Sequence, residues 1–195
     1  MITRLARAGS ILAILMAIAG PTFGYDILLN TDFSEGTAHW KDDPNATACL
    51  NAQATSSGAL IPLSSSGWSR LSQIFDTPDA ALQLNLTYSF SDDGSFTPGA
   101  NFNSSVVQQL TGVSVSDFSL PLGPHEFVAL ILDPQAKTIH YMKISSNAPN
   151  AKTIIGNFRR LLEHEEKTFY LIFPPGAGSV TVSHASLDEP SDGDQ

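Results

Sequence analysis

A single cysteine, Cys49, stands among the 195 residues, so the chain forms no internal disulfide and is not a small stapled scaffold. Its setting, Ala48-Cys49-Leu50, suits a small buried apolar side chain. Basic residues are also few: ten Lys and Arg stand against nineteen Asp and Glu, a net charge of −9. That balance argues against nucleic acid or an acidic membrane surface as a partner. Catalytic signatures are missing as well, with no Gly-x-Ser-x-Gly elbow, no His-Glu-x-x-His helix and no Gly-rich phosphate loop. The histidines His39, His125, His140, His164 and His184 stand singly, without the spacing of metal ligands. No run after residue 24 is long and apolar enough to span a bilayer.

Residues Met1 to Gly24 open with Arg4 and Arg7, continue through the apolar run Ile11 to Ala19 and break at Gly20-Pro21, the order of a secretory signal peptide. The apolar run is shorter than the ~20 residues that cross a membrane, so cleavage is expected rather than anchoring. Cleavage fits after Ala19 or after Gly24, and the second is preferred because Tyr25-Asp26 leads directly into a strand-like segment. It leaves 171 residues, one domain's worth, and takes the net charge to −11 because Arg4 and Arg7 depart. The expected product is secreted, extracellular or periplasmic. It consists of one domain over 25–188 and an acidic disordered tail over 189–195, with no enzyme attached.

Within that domain, apolar residues recur with a period of two. Leu82 to Phe90 puts leucines and aromatics on one face and amides and hydroxyls on the other, the pattern of a half-buried strand. Phe127 to Leu132 is apolar on both faces, which predicts a central strand. Asp133-Pro134 ends it, and Thr138 to Ile144 returns as the second arm of a hairpin. Further strands are expected at Ile27–Asn30, Ala46–Ala54, Leu60–Leu63, Trp68–Phe75, Thr168–Phe173 and Ser179–Leu187. Ser64 to Gly67 and Ser91 to Ser105 read as turns and loop. Asn157 to Lys167, with Phe158, Leu161 and Leu162 on one side, predicts the only helix. The fold class is all-β: a two-sheet sandwich of jelly-roll or Greek-key type with one short helix.

The segment Ile27-Leu28-Leu29-Asn30-Thr31-Asp32-Phe33-Ser34-Glu35-Gly36-Thr37-Ala38-His39-Trp40 resembles the entry to the galactose-binding-like β-sandwiches, especially the carbohydrate-binding modules appended to bacterial cellulases and xylanases. Those begin with an apolar pair, an Asn, Asp-Phe, a Gly and then a Trp. Trp68 to Phe75, with a Gln before an apolar pair, and the closing run Gly178 to Leu187 resemble later landmarks of the same group. The resemblance implies a β-sandwich with Trp40 in the core and a closing strand beside the first. Many members hold a structural calcium with an acid just after the motif's Phe and an Asp in the closing strand. Here Ser34 follows Phe33, Glu35 comes one place later and Ser183 stands where the Asp is expected. Calcium takes about six to eight oxygens, several of them carboxylate. Glu35 is thus the one candidate metal ligand, and the expectation is no cofactor.

Sugar binding requires aromatic faces for pyranose C–H surfaces and nearby polar groups for hydroxyls. The candidates are Trp68, Tyr88 and Tyr141, with Asp92, Asp93 and Gln73 as polar partners; each of the rings also fits a core position, and Asp92-Asp93-Gly94 also fits a plain turn. The expectation is a secreted, non-catalytic module that binds a polysaccharide or glycan. The alternative is a structural or adhesive extracellular sandwich that contacts another protein. A small hydrolase is the third possibility and would require two facing carboxylates, which nothing in the sequence singles out. Three sequons, at Asn45, Asn85 and Asn103, are taken as coincidental because the resemblance is to bacterial modules.

Overall fold

The alternation of Leu82, Leu84, Leu86, Tyr88 and Phe90 with Gln83, Asn85, Thr87 and Ser89 becomes a nine-residue strand, buried and half-buried by turns along its length. The computed structural model describes residues 27–40, 52–78, 81–145, 152–158 and 166–189. The proposed signal segment, Cys49, and the tail beyond Glu189 lie outside the described residues. In chain order the strands are β1 (Gln53–Thr55), β2 (Gly58–Pro62), β3 (Ser69–Asp76), β4 (Leu82–Phe90), β5 (Ser95–Phe96) and β6 (Asn101–Asn103). Helix α1 (Ser104–Thr111) follows, then β7 (Ser119–Pro121), β8 (Glu126–Asp133) and β9 (Thr138–Ser145). The chain closes with β10 (Lys152–Phe158), β11 (Glu166–Phe173), β12 (Gly176–Ala177) and β13 (Ser179–Asp188).

Two antiparallel sheets carry the fold, one in the order β1-β2-β13-β4-β10 and the other β3-β11-β8-β9. Their inner faces meet in a core that includes Leu84, Leu86 and Val182 from the first and Phe127, Phe169 and Leu171 from the second. The Tyr88 ring of β4 meets Phe127 of β8 edge-on at 4.9 Å, across the gap between the sheets. A second core lies on the far side of the four-stranded sheet, where Val107 and Leu110 of α1 and Phe102 of β6 cover Val128, Leu130 and Tyr170. β8 is therefore apolar on both faces because it has a core on each side.

The helix is not where the sequence pattern places it. Asn157 and Phe158 end β10, paired to Gln83 and Leu82, while Glu166 and Lys167 begin β11, paired to Asp76 and Phe75. Residues 159–165 lie outside the described residues. The helix found instead, α1, begins where the Asn103 side chain accepts the Val106 N–H at 3.1 Å. It ends at Gly112, whose φ of 74° suits glycine and whose N–H donates to the Gln108 carbonyl.

The expected strand Ile27–Asn30 is also corrected. It runs as bends held to β13 by an Ile27 N–H donated to the Leu187 carbonyl and an Ala185 N–H donated to the Thr31 carbonyl, each 2.9 Å. Asn30, at φ 51°, organises the following loop: its Nδ2 donates to the Gly36 and Ala38 carbonyls, and its Oδ1 accepts the Glu35 N–H. Trp40 donates its indole N–H to the Asn30 carbonyl and packs its ring 5.3 Å from Phe33, both rings buried. The Asn, Phe, Gly and Trp of the opening motif are thus fold-building residues. β13 itself carries a bulge between Val182 and His184, and Gly58 lies so close against it that a Cβ there would stand 2.2 Å from the Val182 carbonyl oxygen.

Candidate functional site

The hairpin of β8 and β9 turns through Pro134 to Lys137, with Asp133 accepting the Gln135 and Ala136 N–H groups at 2.9 and 2.8 Å and Lys137 in the left-handed region at φ 54°. This turn fixes the register that pairs Leu130 with Tyr141 and Leu132 with Ile139. Side chains alternate across β9, so Ile139 and Tyr141 emerge on the helix-covered face of the sheet. After α1 the chain crosses back over that face, and β7 pairs with β6 through Leu120 opposite Phe102. The crossing lays Phe118 against Tyr141, ring centroids 5.4 Å apart and only 26° from parallel.

The two rings border a cleft of about 240 Å³. One wall is Val115, Ser116, Asp117 and Phe118; the other is Lys137, Thr138, Ile139 and Tyr141. Tyr141 is 41 % exposed, one of three large hydrophobic side chains so presented among the described residues. Phe102 supports both rings from beneath, 5.3 Å from Phe118 and 6.4 Å from Tyr141. Asp117 is oriented by the Ser104 hydroxyl, which donates to it at 3.0 Å. Farther along β9, Lys143 pairs at 3.0 Å with Glu126, which also accepts the Gly123 N–H. The Gly123 N–H and then the Lys143 ammonium hold the Glu126 carboxyl below its ordinary pKa. The cleft lining therefore includes Ser116, Asp117, Lys137 and Thr138 beside the Phe118 and Tyr141 rings.

Of the sequence candidates, Tyr141 reaches this cleft. Trp68 does not line it and lies 5.9 Å from Phe102, half-buried against the second core. Tyr88 is 1 % exposed inside the main core, which removes it from surface recognition. Gln73 is buried too, and its amide is committed to a backbone: it accepts the Leu29 N–H at 2.6 Å and donates to the Leu29 carbonyl at 3.0 Å. Asp92 and Asp93 are exposed in the turn after β4, where the Ser91 hydroxyl donates to Asp93 at 2.8 Å while accepting the Ser179 N–H. Glu35 is an exposed carboxylate 3.8 Å from His39, and the Ser183 hydroxyl donates to the Thr87 carbonyl. Asp32 accepts the Ser34 N–H, which lowers its pKa. Among the described residues, no three His, Cys, Asp or Glu side chains gather as a metal site. The residues not anticipated are Phe118, Asp117 and Lys137; the alternation of Val113, Val115 and polar neighbours ahead of Phe118 was the available signal.

A second cleft, about 510 Å³, lies at the end of β3, where Gln73, Phe75, Asp76 and Thr77 line it together with Ile27, Leu29, Ile74 and Pro78, Leu29 and Ile74 being 56 % and 60 % exposed. No described helix is long and apolar enough to cross a membrane.

No protein-family model matches the sequence, and no curated protein matches it. Solved structures do match in shape. One is a family 61 carbohydrate-binding module in complex with β-1,4-galactotriose, 10% identical, TM-score 0.52, covering 85% of this chain and 99% of that one. A family 11 carbohydrate-binding module from Clostridium thermocellum, in complex with a β-1,3-1,4-mixed-linked tetrasaccharide, is 13% identical with a TM-score of 0.43, over 81% of this chain and 93% of that one. An arabinose-bound α-L-arabinofuranosidase is 13% identical with a TM-score of 0.47, and the match covers 85% of this chain but 26% of the enzyme. The fold of this chain is the two-sheet β-sandwich found in carbohydrate-binding modules.

Proposed function

We propose that the chain is an exported, non-catalytic glycan-binding module whose ligand lies on Tyr141 and Phe118. The observation that carries this reading is the near-parallel ring pair at a cleft whose rim supplies Asp117, Lys137, Ser116 and Thr138. A pyranose offers an apolar C–H face to an aromatic ring and hydroxyls, each both donor and acceptor, around its edge. The cleft offers the complement of both. The shape likeness to modules holding oligosaccharides supports the same reading, as does the single carboxylate among the described cleft residues, where glycoside hydrolysis ordinarily uses two. Export rests on the order of charges and apolar residues in Met1 to Gly24.

The alternative, a structural or adhesive sandwich, would use the apolar cleft at Leu29 and Ile74. The glycan reading is preferred because, of the two clefts described, the Tyr141 cleft is the one that presents an exposed ring, Phe75 of the other being buried. Calorimetric titration against neutral polysaccharides tests it: at least one is bound, and Tyr141→Ala weakens that binding about tenfold or more, roughly 1.4 kcal/mol. Absence of binding across the panel, or binding untouched by Tyr141→Ala, contradicts it.

A further inference from the structure

We infer that the Tyr141 cleft receives one pyranose ring, so that the protein reads a glycan chain end or a single-unit branch and not the length of a polysaccharide. The inference rests on the glycan reading above and concerns how much of the ligand is held. Two independent features carry it, the size of the cleft and what lies beyond its edges.

The cleft has a volume of about 240 Å³. At about 30 Å³ per water it holds roughly eight waters. It falls below the about 300–1,000 Å³ of pockets that enclose drug-sized ligands. Such a space accommodates one sugar ring.

The surroundings close the other directions. Toward the middle of the sheet, Leu130 and Tyr170 lie buried beneath Val107 and Leu110 of α1, so no sheet surface remains there for a neighbouring unit. Phe102 fills the space under the two rings and Ile139 packs into the second core. Along β9 the next residue on the same face, Lys143, is held by Glu126 at 3.0 Å. Among the described residues the rings lining the cleft are Phe118 and Tyr141, and Trp68, half-buried 5.9 Å from Phe102, stands outside it, so no row of rings continues along the cleft. A polysaccharide bound along its length requires such a row, since each further unit contributes only where it meets a surface.

On the remaining open side the rest of a glycan would extend away from the described lining residues. Affinity should then be nearly independent of ligand length once counted per chain end. The test is calorimetric titration of the full chain with the methyl glycosides of galactose, glucose, mannose and xylose, and with the matching β-linked di-, tri- and tetrasaccharides. For whichever sugar binds, the Kd per chain end should change by less than about fivefold from one unit to four, and Tyr141→Ala should weaken all four lengths alike. A Kd that tightens about fivefold or more with length, or binding that begins only at two or more units, overturns this inference while leaving Tyr141-dependent glycan binding in place. No binding at any length, or binding that Tyr141→Ala leaves intact, removes the glycan reading and this inference with it.

Discussion

Among the described residues, the buried charges are Arg70, Asp133 and Lys167, and each is held by named partners. Lys167, 2 % exposed, donates to Asp133, 6 % exposed, at the end of the inter-sheet core. Burial pushes the Asp133 carboxyl up, but the Lys167 ammonium and the Ala136 and Gln135 N–H groups outweigh it, and its pKa lies below the ordinary 3.8. A carboxyl whose folded value is depressed contributes stability that is complete above its ordinary value and is lost as pH falls below it through the folded value. Asp133→Asn should therefore flatten the fall in stability as pH drops below about 4, measured by urea unfolding across that range. At pH 7, Lys167→Met should cost about 3–5 kcal/mol by leaving the carboxylate buried without its cation. The double variant Asp133→Asn/Lys167→Met should recover most of that loss, because the Asn side chain keeps the turn and no charge remains. Arg70 is the other deeply buried cation among the described residues, 5.6 Å from the Tyr170 ring centroid and donating to the Leu110 carbonyl at the end of α1.

Helix α1 helps position one wall of the cleft, since the segment after it carries Asp117 and Phe118 and its first residue, Ser104, donates to Asp117. Removing its cap with Asn103→Ala should cost about 1 kcal/mol in urea unfolding. Gly112→Ala should cost about 1–2 kcal/mol, because φ 74° is the left-handed region. Both variants should also weaken glycan binding, whereas Gly58→Ala should fold poorly without any special effect on the cleft. What was readable at this scale follows from periodicity. β4 stood out by its period of two, and β8 and β9 by a continuous apolar run, the Asp133-Pro134 stop and the returning arm, all of which act locally. α1 did not, because its apolar contacts are Val106, Val107 and Leu110, two of them β-branched, and its caps Asn103 and Gly112 sit among loop-forming neighbours. Phe158 suggested a helix by spacing, yet it packs in the main core at the end of β10. The cleft was half legible for the same reason. Tyr141 shows itself as an aromatic on a hairpin, but Phe118 meets it only because α1 folds the chain back over the sheet. Tyr88 and Trp68 have the same sequence signature as Tyr141, and only the packing of the two cores separates them.

At the scale of the molecule, one four-stranded sheet has a core on each face, and the candidate site sits at the outer edge of the second core. That core is smaller than the first and is built from one short helix, two short strands and the loop between them. The sandwich should therefore keep its sheets when the cleft is altered, so that Tyr141→Ala separates binding from folding. The export reading adds a simple expectation: protein recovered from outside the cytoplasm should begin at Tyr25, as read by intact mass. The most direct measurement for the account as a whole is the position of a bound sugar, by NOEs from its ring protons to aromatic protons of the protein. The account predicts NOEs to Tyr141 and Phe118. A bound sugar showing NOEs elsewhere and none to these two rings would contradict it.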